Sequence, residues 1–145
     1  MAEPKVWVFF YGSFINRKVL AEAHLIPEKL ETAKLDGFDI RIQPLANVVR
    51  SEKHSVYGIV CLAAPEDLKR LYDQDWVGAY LPETVMVETK DGKSLPAQCY
   101  IAPHAPPAPA AGDYIDRIVN PAREYEFPDW YIERLEKFRR GPEPD

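Results

Sequence analysis

The sequence predicts an α+β domain: a mixed, mainly antiparallel sheet curled into a small barrel, with three or four short helices. Three observations carry that expectation. β-type runs, five to seven strands in all, fill most of the chain ahead of the last helices. The pair Asp91-Gly92 separates two alternating runs, which is a strong hairpin signal. Apolar residues at helical spacing then appear near the C-terminus.

The elements follow in order. Lys5 to Tyr11 is a dense β-type run that reads as a strand buried on both faces. Gly12-Ser13 ends it. Asn16 is placed as a helix N-cap, with Arg17 to His24 as the helix. Leu30 to Gln43 reads as one strand, or as two with a bend at Gly37. Ala46 to Arg50 reads as a brief strand and Ser51 to His54 as a polar turn. In Ser55 to Ala63, Val56, Gly58, Val60 and Leu62 alternate with Tyr57, Ile59 and Cys61, which predicts a strand.

Pro65 suits a helix first turn, and Glu66 to Leu71 continue that helix. Glu83 to Thr89 and Leu95 to Ala102 are the two arms of the Asp91-Gly92 hairpin. His104 to Gly112 is Pro/Ala-rich and reads as a surface loop. Ile115 to Glu124 is a helix that Pro121 shortens or kinks. Pro128 to Phe138 is a second helix with Trp130, Tyr131, Leu135 and Phe138 turned inward. Residues 139–145 form a frayed tail, so one domain spans 1–145.

Composition bounds the function classes. Of 145 residues, 46% are hydrophobic and 28% charged, an ordinary globular mixture. No apolar run approaches the ~20 residues a membrane span needs. The start, Met1-Ala2-Glu3-Pro4-Lys5, lacks a basic region followed by an apolar stretch, so the expected location is cytoplasmic. A net charge of -5 with scattered basic residues argues against nucleic acid as a partner. Arg139-Arg140 reads as a solvated helix end. Cys61 and Cys99 sit inside alternating runs and read as buried reduced thiols. His24, His54 and His104 have no ligand spacing, so no metal is expected. A monomer and a homodimer fit the sequence equally.

Two segments carry candidate chemistry. Tyr11-Gly12-Ser13-Phe14-Ile15 follows a buried strand and precedes a helix. Gly12 permits close approach by a ligand, and successive backbone N–H groups in such a turn form an anion-binding nest. The helix starting near Asn16 adds its N-terminal dipole. The plain alternative is a strand-to-helix turn that needs glycine. The second segment, Leu71-Tyr72-Asp73-Gln74-Asp75-Trp76-Val77-Gly78-Ala79-Tyr80, combines two carboxylates with three aromatics. A carboxylate desolvated against Trp suits a general base. Its alternative is a helix end with Asp73 and Asp75 facing water.

Four pieces in order resemble the γ-glutamylcyclotransferase-like superfamily, which includes γ-glutamylamine cyclotransferases and AIG2-like proteins. The pattern strand-Tyr-Gly-Ser-Asn-Leu reads here as Phe9-Phe10-Tyr11-Gly12-Ser13-Phe14-Ile15, and Val-x-Gly-x-Val/Leu as Val56-Tyr57-Gly58-Ile59-Val60. Leu-Asp-x-x-Glu-Gly…Gly-x-Tyr is matched by Leu71 to Tyr80, and Leu-Pro-x-x-Tyr-x-x-x-Leu by Phe127 to Leu135. The match runs from about Val6 to Leu135.

The resemblance implies cleavage of a γ-glutamyl amide without water, cofactor or metal. The substrate's α-amine attacks its own γ-carbonyl, releasing 5-oxoproline and an amine or amino acid. It further implies Asp75 as general base and acid, the loop Tyr11, Gly12, Ser13, Phe14 and Ile15 as the anion-binding part, and Tyr80 and Tyr131 as pocket lining. The sequence departs at three places: Asp75 stands where the pattern has Glu, Phe14 where it has Asn, and Trp76 where it has Gly. The shorter acid withdraws the carboxylate by about 1.3 Å, and a misplacement near 1 Å costs about a hundredfold in rate. Two functions therefore stand side by side: the cyclotransferase, and a non-catalytic small-molecule binding protein on the same fold. Glu83 reads as a surface strand residue rather than a substitute base.

Overall fold

A computed structural model describes residues 4–103 and 108–141. Its five strands close into a barrel in the order β1-β3-β2-β4-β5. They are β1 (Val6–Phe10), β2 (Glu28–Ile42), β3 (Ala46–Ala63), β4 (Leu81–Thr89) and β5 (Ser94–Ile101). Neighbours pair antiparallel except β1 and β5, whose parallel pairing (Val8 with Gln98, Phe9 with Cys99) closes the ring. The small mixed barrel expected from the sequence is the one observed. Helices α1 (Arg17–Glu22), α2 (Pro65–Tyr72), α3 (Gly112–Glu124) and α4 (Asp129–Lys137) complete it, with 3₁₀ turns at Ser13–Ile15 and Phe138–Arg140.

Val8, Phe9 and Phe10 are buried, as are Ile59, Val60 and Cys61 opposite them on β3. Both faces of these strands are covered, so they read as continuous apolar runs. The crossing is tight at Gly58, where an added Cβ would lie 2.1 Å from the Phe10 carbonyl oxygen. Cys61 and Cys99 are buried and free, and burial pushes both thiols up to about 12.

α4 is fixed to the barrel by charge as well as packing. Arg134 donates from Nε and Nη2 to both carboxylate oxygens of Asp39 on β2, at 2.9 and 2.6 Å. Arg41 donates to the same buried carboxylate at 2.8 Å. A buried ion pair of this kind offsets its own desolvation only because each lone pair is used.

Several local expectations are met. Asn16 caps α1 by accepting from the Lys18 N–H at 3.0 Å. β2 is one strand, bent at a bulge where Gly37 has φ +88°. Gly92, with φ +86°, makes the β4–β5 turn. α3 runs on through Pro121 without ending there. By contrast, Arg139 and Arg140, expected in a frayed tail, lie in the 3₁₀ turn Phe138–Arg140, where Arg139 donates to Glu136 and Asp116.

Three expectations need correction. The polar turn at Ser51 to His54 is absent: β3 is a single strand, and residues 51–54 bulge opposite Gly37 between the pairs Asp36–Ser55 and Phe38–Arg50. These residues are polar because that ribbon is solvated, not because the chain reverses. Trp130 is 51% exposed, since α4 turns Tyr131, Ile132 and Leu135 inward instead. The loop expected over His104 to Gly112 has residues 104–107 outside the described set, and α3 already begins at Gly112; the tail beyond 141 is likewise outside it.

Candidate functional site

The loop after β1 folds back over the open end of the barrel. Its turn is closed by the Ile15 N–H on the Gly12 carbonyl (3.1 Å) and the Asn16 N–H on Ser13 (3.0 Å). The Gly12 and Phe14 N–H groups have no acceptor among the described residues. Gly12 packs directly on β3, where a Cβ would lie 2.6 Å from the Ala46 Cβ. Close backbone approach, rather than an unusual dihedral, demands glycine here.

Ala46 organises this end of the molecule. Its N–H donates to the Tyr114 hydroxyl at 2.9 Å, and its carbonyl accepts from Tyr80 at 2.5 Å. Tyr11 donates to the Tyr100 carbonyl at 2.6 Å, tying the loop to β5. Asn47 bonds both backbone groups of Ala102, at 3.0 and 3.1 Å. Residues from β1, β3, β5, α2 and α3 therefore meet under one loop.

They enclose a cavity of about 30 Å³, room for a water or two. The loop contributes Tyr11, Gly12, Ser13 and Phe14; Leu45 and Ala46 form one wall; Tyr72, Trp76, Val77, Tyr80 and Tyr114 form the rest, over Phe10. Phe14 stands edge-on to Tyr72 (5.3 Å) and Trp76 (5.8 Å). Trp76 is 42% exposed and marks the mouth.

No carboxylate, ammonium, guanidinium or imidazole lines the cavity; its polar groups are phenols, the Ser13 hydroxyl and backbone amides. Burial raises the Tyr11, Tyr72 and Tyr80 phenols well above their ordinary value. At Tyr114 burial also wins, although hydrogen bonds from the Ala46 N–H and from Ser13 favour its phenolate. All four stay protonated near neutral pH.

The expected site residues divide. Tyr11, Gly12, Ser13, Phe14 and Tyr80 come together at the cavity. Ile15 does not: it is fully buried and its N–H is used by the turn. Tyr131 belongs to a separate cluster with Tyr57, Phe127 and Trp130, and makes a long hydrogen bond (3.5 Å) to the Tyr57 carbonyl. Asp75 is exposed, in the turn between α2 and β4, and is not among the lining residues. Asp73 is exposed as well, and Glu83 pairs with Arg50 at 2.6 Å.

Sequence reasoning passed over Ala46, Tyr72 and Tyr114. Tyr72 lies within the acidic segment, where the two carboxylates are the plainer candidates for proton transfer. Nothing local marks Ala46 or Tyr114, which reach the loop through long-range packing. Among the described residues no group of three His, Cys, Asp or Glu side chains is gathered as a metal site, and no helix is long and apolar enough to cross a membrane.

Comparison with known proteins gives consistent results. The model of the AIG2-like family matches residues 55–135. A Homo sapiens protein described as uncharacterized shares the fold with a TM-score of 0.79 at 23% identity, over 99% of this chain and 90% of that one. A structure described as gamma-glutamyl cyclotransferase gives 0.77 at 24% identity, over 97% and 89%. An AIG2-like protein from Mus musculus gives 0.57 at 19%, over 78% and 84%. No curated protein sequence matches the chain.

Proposed function

The chain belongs to the AIG2-like family, and on that premise we propose that it converts a γ-glutamyl amide into 5-oxoproline and a free amine. One observation carries the reading: the Tyr11–Phe14 loop lines a cavity, and its Gly12 and Phe14 N–H groups have no acceptor among the described residues. Such amides suit the α-carboxylate of a glutamyl group.

The chemistry asks little of the protein. The substrate's α-nitrogen attacks its own γ-carbonyl carbon, a C–N bond forms, and the bond to the leaving nitrogen breaks. Holding the glutamyl chain folded supplies much of the rate, because the step is intramolecular. One proton leaves the α-ammonium and one reaches the leaving nitrogen. In this reading Asp75 moves both, working from the rim one residue before Trp76. Glutamyl binding displaces Trp76 outward, since the cavity holds only about 30 Å³. The leaving group then lies against Phe14, Tyr72 and Trp76, which favours an apolar amine.

The exposure of Asp75 and the absence of charge in the cavity lining favour a second reading, ligand binding without turnover. Incubating the protein with γ-glutamyl amines and dipeptides while following 5-oxoproline separates the two. Release that is lost in Asp75→Asn supports the cyclotransferase; thermal stabilisation without product supports binding alone.

A further inference from the structure

Four cavity-lining tyrosine side chains gather where the loop meets the barrel, and three of their hydroxyls are held by the protein. Tyr11 donates to the Tyr100 carbonyl, Tyr80 donates to the Ala46 carbonyl, and Tyr114 accepts from the Ala46 N–H. Tyr72 differs. Its ring is held by other rings: it stacks on Tyr100 at 3.9 Å and 12°, meets Phe14 edge-on at 5.3 Å, and lies 5.8 Å from Tyr80. Yet its hydroxyl has no hydrogen-bond partner among the described residues, and it is not one of the sealed, unsatisfied atoms of the interior. It lines the cavity.

A clamped ring with a free hydroxyl is a positioned donor. The hydroxyl is not sealed, so solvent satisfies it, and a ligand acceptor entering the cavity takes that solvent's place at a point fixed by the ring contacts. Burial favours the neutral phenol, with the Cys99 thiol and the other tyrosines acting in the same direction. The group therefore presents O–H rather than O⁻ to a ligand.

We infer that the Tyr72 hydroxyl donates a hydrogen bond to the γ-carbonyl oxygen of the bound γ-glutamyl compound. This rests on the cyclotransferase reading and supplies what that reading lacks, a group inside the cavity that touches the reacting atoms. As the α-nitrogen adds to the carbonyl carbon, the C=O π pair moves onto oxygen. Tyr72 stabilises that charge without giving up its proton. The pair returns as the leaving amine departs with the proton delivered from elsewhere.

Tyr72→Phe removes one oxygen and keeps the stacked ring, so its melting temperature is expected to match the parent's. With a γ-glutamyl anilide as probe, kcat for 5-oxoproline release is expected to fall by about 10²-fold or more, with KM within about threefold. Parent-like kcat in the variant overturns the Tyr72 role and leaves the cyclotransferase reading standing. If the parent binds the anilide without turnover, calorimetry decides: binding about tenfold weaker in Tyr72→Phe supports the contact, and equal binding overturns it. A parent that neither turns over nor binds γ-glutamyl compounds overturns both. Should Tyr72→Phe lose stability, the thiocarbonyl analogue is compared on the parent. Relative to uncatalysed cyclisation, its poorer acceptor should cut the rate at least about tenfold, and undiminished rates overturn the contact.

Discussion

Gly12 and Ala46 touch where the loop meets β3, and the contact is a steric one. A Cβ on residue 12 would lie 2.6 Å from that of Ala46, with the Tyr114 hydroxyl next at 3.7 Å. Gly12→Ala must therefore push the loop off the strand, an overpacking cost of about 1–3 kcal/mol. We expect a lower denaturation midpoint and lost γ-glutamyl binding. Ala46→Gly in the same chain removes the opposing carbon and should restore much of both, as read by a double-mutant cycle. Independent, additive losses would contradict the contact. The glycine's presence was legible from the sequence, because a turn follows a buried strand there. Its partner was not, because Ala46 is 34 positions away and small alanines carry no periodic signal.

At the level of elements, the proposed cyclotransferase reading gives the turn between α2 and β4 the choice of leaving group. It brings Trp76 to the mouth beside Phe14 and leaves Asp73 and Asp75 exposed. An aromatic wall flanked by carboxylates favours an uncharged apolar leaving group over one that carries its own carboxylate. γ-Glutamyl amides of aromatic or alkyl amines should show kcat/KM at least tenfold above γ-glutamyl dipeptides, the range that apolar pocket contacts provide. A preference for dipeptides in a substrate panel would contradict this. Elements with a local cause were readable: the Asp91-Gly92 hairpin, the Asn16 cap and the Pro65 helix start are each written in adjacent residues. Ser51 to His54 were misread because polarity marks a solvated bulge and a turn alike. Tyr131 is buried as its helical spacing predicts, whereas Trp130 is exposed because spacing locates a stripe but not its edges.

Across the whole molecule, the buried thiols and phenols are held neutral. Burial lifts the Cys61 and Cys99 thiols from 9.0 to about 12, and the Tyr11, Tyr72 and Tyr80 phenols move in the same direction. The folded form keeps these protons at pH values where the unfolded chain releases them. Their contribution to stability is thus complete below about pH 9 and lost as pH rises through about 12. Urea midpoints should be level below about pH 8.5 and decline steadily above it; a midpoint that rises with pH there would contradict the buried, neutral cluster. The barrel itself was legible in the strand-then-helix order. The cavity's neutrality was not, since it depends on which of many scattered phenols the closed ring gathers.

The loop opened by Tyr11-Gly12-Ser13 either serves turnover or only holds a ligand. The direct measurement is 5-oxoproline release from an apolar γ-glutamyl amide by the parent protein and by Asp75→Asn. With Asp75 moving the protons, the parent releases product and the variant at least a hundredfold less, with binding retained. Product formation that is equal in both, or absent from the parent across the panel, would contradict it.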